Sequence, residues 1–424
     1  MEFRAYKLTQ SLASQAFLSK PALEEVQTAR LRAMVRHSGQ SVPFHASRFR
    51  QAGVSIGSLA LEKEFRKIPI MTRADLSLPQ SELCSSSADA NSLIEIRTSG
   101  TTGAPARVFI SPEDKRWRQA VRGRASEALG IEQWFRTAHL LFNDRSLNRS
   151  RPLRDRVAEW AVRRRSRYQR PFYFTYSCSE ILDELERYSP MVVEGTPAYL
   201  ENLAQAAKST KSLPRLEAVV SAVDLLDRSR RKRLERFYGC PVYDIYGSRD
   251  AGVMGWECPE RSGLHMNIDT SFYEVVKDGR EVSPGESGEL LITSLTDFAM
   301  PLVRYRVGDV VRLGGDQCAC GRGLPMLKMV EGRASDFLEL GNGRSVSPHE
   351  LLSAVQEVEG VPAFQMVAER SGTINVRLFL RKQKASIGES VRTRLEELFG
   401  PEVRFDVSLV EETPKAKVKM VVRE

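Results

Sequence analysis

The sequence predicts an α/β fold: a large N-terminal domain with mixed, largely parallel sheets and helices plus a β-rich subdomain, followed by a small α+β C-terminal domain. Three observations predict it. Between residues 138 and 245, short apolar strands alternate with helical stretches, the pattern of a parallel sheet covered by helices. From about residue 265 the helical periodicity stops and strand follows strand. After residue 333 helices and strands mix again over a short stretch. The chain has 424 residues, room for two or three domains at roughly 100–200 residues each. The boundary falls near Gly332-Arg333-Ala334-Ser335, giving domains 1–332 and 333–424.

The elements follow in order. The first 80 residues read as helical; Leu23–Met34 has apolar residues at helical spacing, and Pro43 closes the following turn. Leu93–Arg97 is a short strand, followed by a glycine-threonine loop and a helix from about Pro112 to Leu129. Strands at Ala138–Phe142, Met191–Glu194, Ala218–Ala222 and Pro241–Ile245 are separated by helices at Glu180–Tyr188, Ala198–Ala207 and Arg228–Phe237. Strands at Phe272–Val276, Glu289–Thr293 and Val310–Leu313 form the β-rich part. Helices at Pro348–Val358 and Ser390–Leu398 and strands at Phe364–Ala368 and Ile374–Leu380 build the last unit.

Composition excludes several classes. Hydrophobic residues are 42% and charged residues 28%, so wholesale disorder is excluded. No apolar run reaches the ~18 residues of a membrane span, and the N-terminus, with Glu2, Arg4 and Lys7, lacks a secretory apolar core. Six cysteines are too few for a disulfide scaffold of this length, so a reduced, cytoplasmic protein is expected. The net charge of +9 is local: nine arginines lie between Arg149 and Arg170, and a second cluster runs Arg228, Arg230, Arg231, Lys232, Arg233. Without a nucleic-acid motif these read first as solvated helical faces and second as a phosphate pocket; no nucleic-acid partner is expected.

The sharpest motif is Thr98-Ser99-Gly100-Thr101-Thr102-Gly103-Ala104-Pro105. Its glycines let the backbone turn tightly and aim N–H groups into one concavity, and its hydroxyls add donors for phosphate oxygens. A strand before and a helix after suit an anion site. It is not a Walker-type loop, which requires G-x-x-x-x-G-K-[ST].

This motif resembles the phosphate loop of the adenylate-forming superfamily, which comprises acyl-CoA synthetases, luciferases and peptide-synthetase adenylation domains. Further segments resemble that family's motifs in the same order: Glu194–Leu200, Ser221–Asp224, Tyr243–Asp250, Pro301–Asp309 and Val330–Asp336. Within it the likeness is to phenylacetate–CoA ligases and capsule-biosynthesis relatives, on Tyr246-Gly247-Ser248-Arg249, Glu257-Cys258-Pro259-Glu260, Gly263-Leu264-His265 and Cys318-Ala319-Cys320-Gly321-Arg322. The resemblance spans nearly the whole chain.

It implies a carboxylate ligase that joins an acid to the α-phosphate of ATP, releases pyrophosphate, and passes the acyl group to CoA. An aryl or arylacetic acid is implied, with an amine as the alternative acceptor and a degenerate nucleotide-binding scaffold as the reading from another class. The site residues follow from the same resemblance. Thr98, Ser99, Gly100, Thr101, Thr102 and Gly103 would hold the β- and γ-phosphates. Val223, Asp224, Asp244, Ile245, Gly247 and Ser248 would border the nucleotide, and Tyr246 would stack on adenine. Asp309 would take the ribose hydroxyls and Arg333 would fix the nucleotide. Asp250 replaces a Mg²⁺-linked glutamate with a side chain one methylene shorter. Thr196, Tyr199, Ser221 and Ala222 would face the acid. Ser335 would be the hinge of a mobile C-terminal lid, bringing in Lys417, with Lys415 as the neighbouring candidate.

The departures are Ala106-Arg107 in place of the loop's lysine, Arg249-Asp250 in place of Thr-Glu, Ser335 at the hinge, and Ala416 before the catalytic lysine. Cys258, His265, Cys318 and Cys320 form a Cys₃His set suited to structural Zn²⁺, against the alternative of four unrelated buried side chains. Relatives with these residue types at these places favour the metal. Cys84, Cys178 and Cys240 read as core residues, and no catalytic triad is present. The expected partners are a small carboxylic acid, ATP and CoA or an amine; a homodimer is allowed for.

Overall fold

The structure, a computed structural model, describes residues 3–54, 64–97, 106–141, 168–173, 177–210, 215–341, 343–361, 363–369, 372–380, 385–401, 403–410 and 420–423. It divides into two compact units, each built from two stretches of chain: 1–130 with 245–334, and 131–244 with 335–424.

The first unit opens with helices α1 (Phe3–Gln15), α2 (Lys20–Ser41) and α3 (Pro43–Gln51). Pro43 starts α3 instead of closing a turn: a proline at the first helical position loses no hydrogen bond, because that N–H has no intrahelical acceptor. A short helix α4 (Gln80–Leu83) precedes β1 (Ile94–Arg97) and β2 (Arg107–Ile110). These two pair antiparallel, with Arg97 opposite Arg107. The expected strand-loop-helix order is thereby corrected: a second strand intervenes, and α5 (Pro112–Ala128) begins only after it. Ser111 and Asp114 form a reciprocal capping box that fixes that start.

In the second unit β3 (Thr137–Leu141), β4 (Gln169–Tyr173), β5 (Val192–Gly195) and β6 (Ala218–Ala222) alternate with α6 (Cys178–Tyr188), α7 (Pro197–Thr210) and α8 (Arg228–Tyr238). The strands are parallel in the order β6-β5-β3-β4. Ala138, Leu140, Val193 and Val219 lie on one face of this sheet and pack with Ile181, Leu185, Leu203 and Leu234 of the helices.

The chain re-enters the first unit within β7 (Val242–Ser248), followed by β8 (Gly252–Trp256), β9 (Leu264–Met266), β10 (Ser271–Lys277), β11 (Arg280–Glu281), β12 (Ser287–Ser294), β13 (Tyr305–Leu313) and β14 (Met326–Arg333). Every pairing from β7 to β11 is antiparallel, in the order β7-β8-β9-β14-β13-β12-β10-β11. Two buried ion pairs brace this unit. Arg124 of α5 bonds both carboxylate oxygens of Asp269 at 2.7 and 3.0 Å and reaches Asn267 at 2.6 Å. Arg304, at φ 51°, is paired with Glu274 and donates to the carbonyls of Arg66 and Ile68.

The last stretch, in the second unit, holds β15 (Leu338–Glu339), β16 (Ser345–Val346), α9 (Pro348–Gln356), β17 (Ala363–Ala368), β18 (Ile374–Phe379), α10 (Ala385–Phe399), β19 (Phe405–Val410) and β20 (Val421–Arg423). A four-stranded sheet in the order β19-β18-β17-β20 packs on its helices through Leu351, Val355, Val376, Leu378, Val391 and Leu395. The Val-Val run near the C-terminus is in this sheet, as β20 beside β17. Among the described residues no helix is long and apolar enough to cross a membrane.

Candidate active site and metal centre

In the first unit Asp309 of β13 and Arg333 of β14 are register partners. Arg333 Nε lies 3.0 Å from Asp309 Oδ1, and the Tyr246 hydroxyl of β7 donates to Oδ2 at 2.7 Å. The carboxylate is buried and thus held in a fixed orientation from both sides. Gly308, at φ 87°, makes the approach possible: a Cβ there would meet Arg333 Nη1 at 3.4 Å in a backbone conformation that L side chains avoid. Burial raises the Tyr246 phenol well above its ordinary range, and Asp309 adds to it, so Tyr246 remains a donor. For Arg333 burial opposes the charge, and Asp309 together with Tyr246, Asp250 and Tyr305 outweighs it, holding the guanidinium above its ordinary value.

Asp250 lies after the end of β7, fully buried. Its Oδ1 accepts from the Ser248 hydroxyl and the Ala251 N–H, and its Oδ2 accepts from the Tyr305 hydroxyl at 2.8 Å. Arg118 of α5 steadies this turn. It donates to the carbonyls of Arg249 and Asp250 at 3.1 and 2.7 Å while pairing with Asp297 at 2.8 Å. The sequence reading missed Arg118 because its partners lie 131 to 179 residues away. Ile245 is buried beside Tyr246, and Gly247 is forced to be glycine, since a Cβ would lie 2.5 Å from the Gly252 carbonyl.

In the second unit the Ser221 hydroxyl donates to Asp244 Oδ1 at 2.8 Å, joining the ends of β6 and β7. Ala222 closes β6, and Val223 follows at φ 79° with 71% of its surface exposed. A β-branched residue in that region is a strained outlier. Asp224 continues the turn. Thr196 precedes α7, its carbonyl accepting from the Leu200 N–H. Tyr199 packs into the core beside Cys178 and Tyr188, and burial pushes its phenol upward. His139 pairs with Glu194 at 2.9 Å on the adjacent strand. The second basic cluster is structural: Arg230 and Arg233 share Glu201, and Arg231 donates to the Val242 carbonyl.

The candidate metal ligands do come together. The Sγ atoms of Cys258, Cys318 and Cys320 and a ring nitrogen of His265 all lie within 4.8 Å of one another. His265 Nδ1 is 3.2 Å from the Leu324 carbonyl, which assigns the proton there and leaves Nε2, 3.4 Å from Cys320 Sγ, as the donor. Burial lowers His265 to about 4, so the ring is neutral, and raises the Cys258 thiol to about 12. A divalent cation there would displace the thiol protons and offset the cost of burying the thiolates. The knuckle also touches the turn after α1 and the end of β8: Arg322 lies over the rings of Phe17 and Trp256, and the Gly323 N–H donates to the Ala16 carbonyl at 2.9 Å.

The phosphate-loop residues Thr98–Gly103 and the lysines Lys415 and Lys417 lie outside the described residues. Ser335 is exposed in a short 3₁₀ turn, its hydroxyl bonded to Asp336.

Residues 169–297 match the AMP-binding enzyme family. The chain is 26% identical over 414 residues to phenylacetate–coenzyme A ligase of Escherichia coli (strain K12), covering 92% of this chain and 91% of that protein. It is equally 26% identical over 383 residues to the protein of the same name from Thermus thermophilus, covering 84% and 81%. Its fold aligns with 2-hydroxyisobutyryl-CoA ligase in the postadenylation state, in complex with 2-HIB-AMP. The TM-score is 0.77 at 20% identity, over 95% of this chain and 89% of that one. The fold and the match agree with the motif order. Over most of its length the chain is similar to phenylacetate–CoA ligases.

Proposed function

We propose that this protein is an ATP-dependent carboxylate ligase that makes an acyl-adenylate and then an acyl-CoA thioester, with an aryl or arylacetic acid as substrate. The observation that carries the reading is the Asp309 carboxylate, buried and clasped between Tyr246 and Arg333. A carboxylate offers about four lone-pair sites, so it can accept ribose hydroxyls as well as protein donors. In the first step a carboxylate oxygen of the acid bonds to the α-phosphorus and pyrophosphate leaves with the electron pair. In the second a thiolate bonds to the acyl carbon and AMP leaves; the thiol proton goes to solvent. The chain's part is positioning and charge neutralisation.

Thr98–Gly103 hold the outer phosphates in this reading, and Lys417 approaches the reacting carboxylate from a lid formed by 333–424 that turns at Ser335. Val223, Asp224, Asp244, Ile245, Tyr246, Gly247 and Ser248 border the nucleotide; Thr196, Ser221 and Ala222 border the acid, with Tyr199 supporting them from the core. Mg²⁺ would neutralise phosphate charge. Asp250 already accepts from three donors, so it suits an outer role better than direct ligation. Zn²⁺ at Cys258, His265, Cys318 and Cys320 would be structural, because all four positions come from protein.

ATP–pyrophosphate exchange across aryl, arylacetic and fatty acids tests the reading. Acid-dependent exchange lost in Asp309→Ala and Lys417→Ala supports it, and adding CoA or amines then separates thioester from amide formation. No exchange with any acid overturns it and favours a nucleotide-binding scaffold.

A further inference from the structure

Within the second unit one side chain joins helix α8 to the C-terminal stretch. Arg233 Nε is 2.7 Å from Glu201 Oε1 of α7. Its Nη1 donates to the Gln356 carbonyl at 2.9 Å, and its Nη2 donates to the Gln356 side-chain oxygen. Gln356 is the last residue of α9 and is completely buried; its Nε2 donates to the Val361 carbonyl. Arg233 therefore caps the C-terminus of a helix with a positive charge, where the orphan carbonyls and the dipole both favour one. The fork matters, since two parallel donors fix both position and angle.

A second contact lies beside it. Leu225 packs against the hydrophobic cluster of residues 338–421. Leu225 follows, by two positions, the strained and exposed Val223. Backbone held in a sparsely populated conformation persists only where its surroundings over-determine it. Here the seated C-terminal stretch supplies that restraint on one side and β6 on the other.

The geometry points to Arg233 as a reversible latch: it seats residues 335–424 on α8, and the seated state holds the Val223 turn in its strained form. This rests on the lid reading given above. The latch is cheap to release. When the C-terminal stretch leaves, Arg233 keeps its ion pair with Glu201, and the Gln356 oxygens pass to water. The charged hydrogen bonds to Gln356 and the Leu225 contact are exchanged for water; losing the hydrogen bonds alone changes the seated population by about ten- to a hundredfold, not irreversibly. Arg233 is a positioning residue; it touches no substrate.

Hydrogen–deuterium exchange on the full chain tests this, with Arg233→Lys, Gln356→Ala and Arg233→Ala beside wild type. Arg233→Lys retains the pair with Glu201 but loses the fork. The expected result is faster exchange in both 348–356 and 224–227 for Arg233→Lys and Gln356→Ala, with α7 unchanged. Pyrophosphate exchange and thioester formation from a supplied acyl-adenylate should then shift by different factors, about tenfold apart. If the Arg233→Lys effect is confined to α7 and α8, or both half-reactions fall equally, Arg233 is only a brace and the latch is overturned. If no acid supports exchange in wild type, the ligase reading fails, and the paired response at 224–227 and 348–356 still decides the latch.

Discussion

Asp309 and Arg333 face each other across β13 and β14, and their side chains close an ion pair of 3.0 Å on the oxygen that Tyr246 leaves untouched. Replacing Asp309 by Ala should remove two charge-assisted acceptors and weaken ATP binding by about ten- to a hundredfold, at roughly 1.5–3 kcal/mol for hydrogen bonds to a charged group. Arg333→Ala and Tyr246→Phe should each cost less, because the other partner still orients the carboxylate. Isothermal titration with ATP measures all three; equal losses for Tyr246→Phe and Asp309→Ala would show that the phenol, not the carboxylate, dominates.

The Cys₃His cluster should carry close to one zinc per chain by plasma mass spectrometry. Cys320→Ser and His265→Ala should lose the metal and lower the melting temperature by several degrees. Cys240→Ala, a core cysteine elsewhere, should keep it. Metal-free wild type with an unchanged melting curve would contradict a structural ion.

Arg124 and Asp269 are a buried pair with side chains almost fully removed from solvent. Asp269→Ala leaves the guanidinium uncompensated and should destabilise the fold by about 3–5 kcal/mol in urea unfolding. The double change Arg124→Met with Asp269→Leu should recover much of this, since the isolated charge is what costs most.

His45 is buried and neutral: Nδ1 accepts from Arg48 at 2.9 Å and Nε2 donates to the Pro301 carbonyl at 2.8 Å. Burial, then Arg48, lowers its pKa from 6.5 to about 3. The unfolded chain therefore binds this proton first. The stability due to His45 is complete above about pH 6.5 and drains as pH falls toward 3, by at most about 1.4 kcal/mol per unit. His45→Gln, which still offers Arg48 an acceptor, should show a shallower fall in urea midpoint between pH 7 and 4.5. Parallel curves would mean the ring titrates normally.

Three of the four parallel strands, β3, β5 and β6, were legible as short apolar runs between turn residues, and Ala218–Ala222 is β6 to the residue; β4 was not, because Gln169, Arg170 and Pro171 hide it. β8 and β9 were not, because Gly252–Trp256 and Leu264–Met266 are short, and Gly252 and Gly255 interrupt any alternation. β2 was hidden by its place directly after the threonine-rich loop. For the candidate site, motif order pointed to Asp309, Tyr246, Arg333 and the four metal-type ligands, and the fold brings each of these two sets together. What the sequence left unseen are partnerships that depend on distant chain: Arg118 with Asp297, His139 with Glu194, Arg233 with Gln356. No local spacing encodes a contact that only the sheet order creates.

The contact between the Gly323 N–H and the Ala16 carbonyl bears on how the chain emerges from the ribosome. Arg30 of α2 and Ala16 of the turn before it find their partners at Asp269 and Gly323, about 240–310 positions later. At about 5–20 residues per second, these contacts wait on the order of 12–60 s, although Ala120 and Val121 cover Leu12 of α1 earlier and Phe49, Phe65 and Ile68 cover Leu31 and Met34 of α2. The unit that begins first is therefore sealed only after about three quarters of the chain has been made.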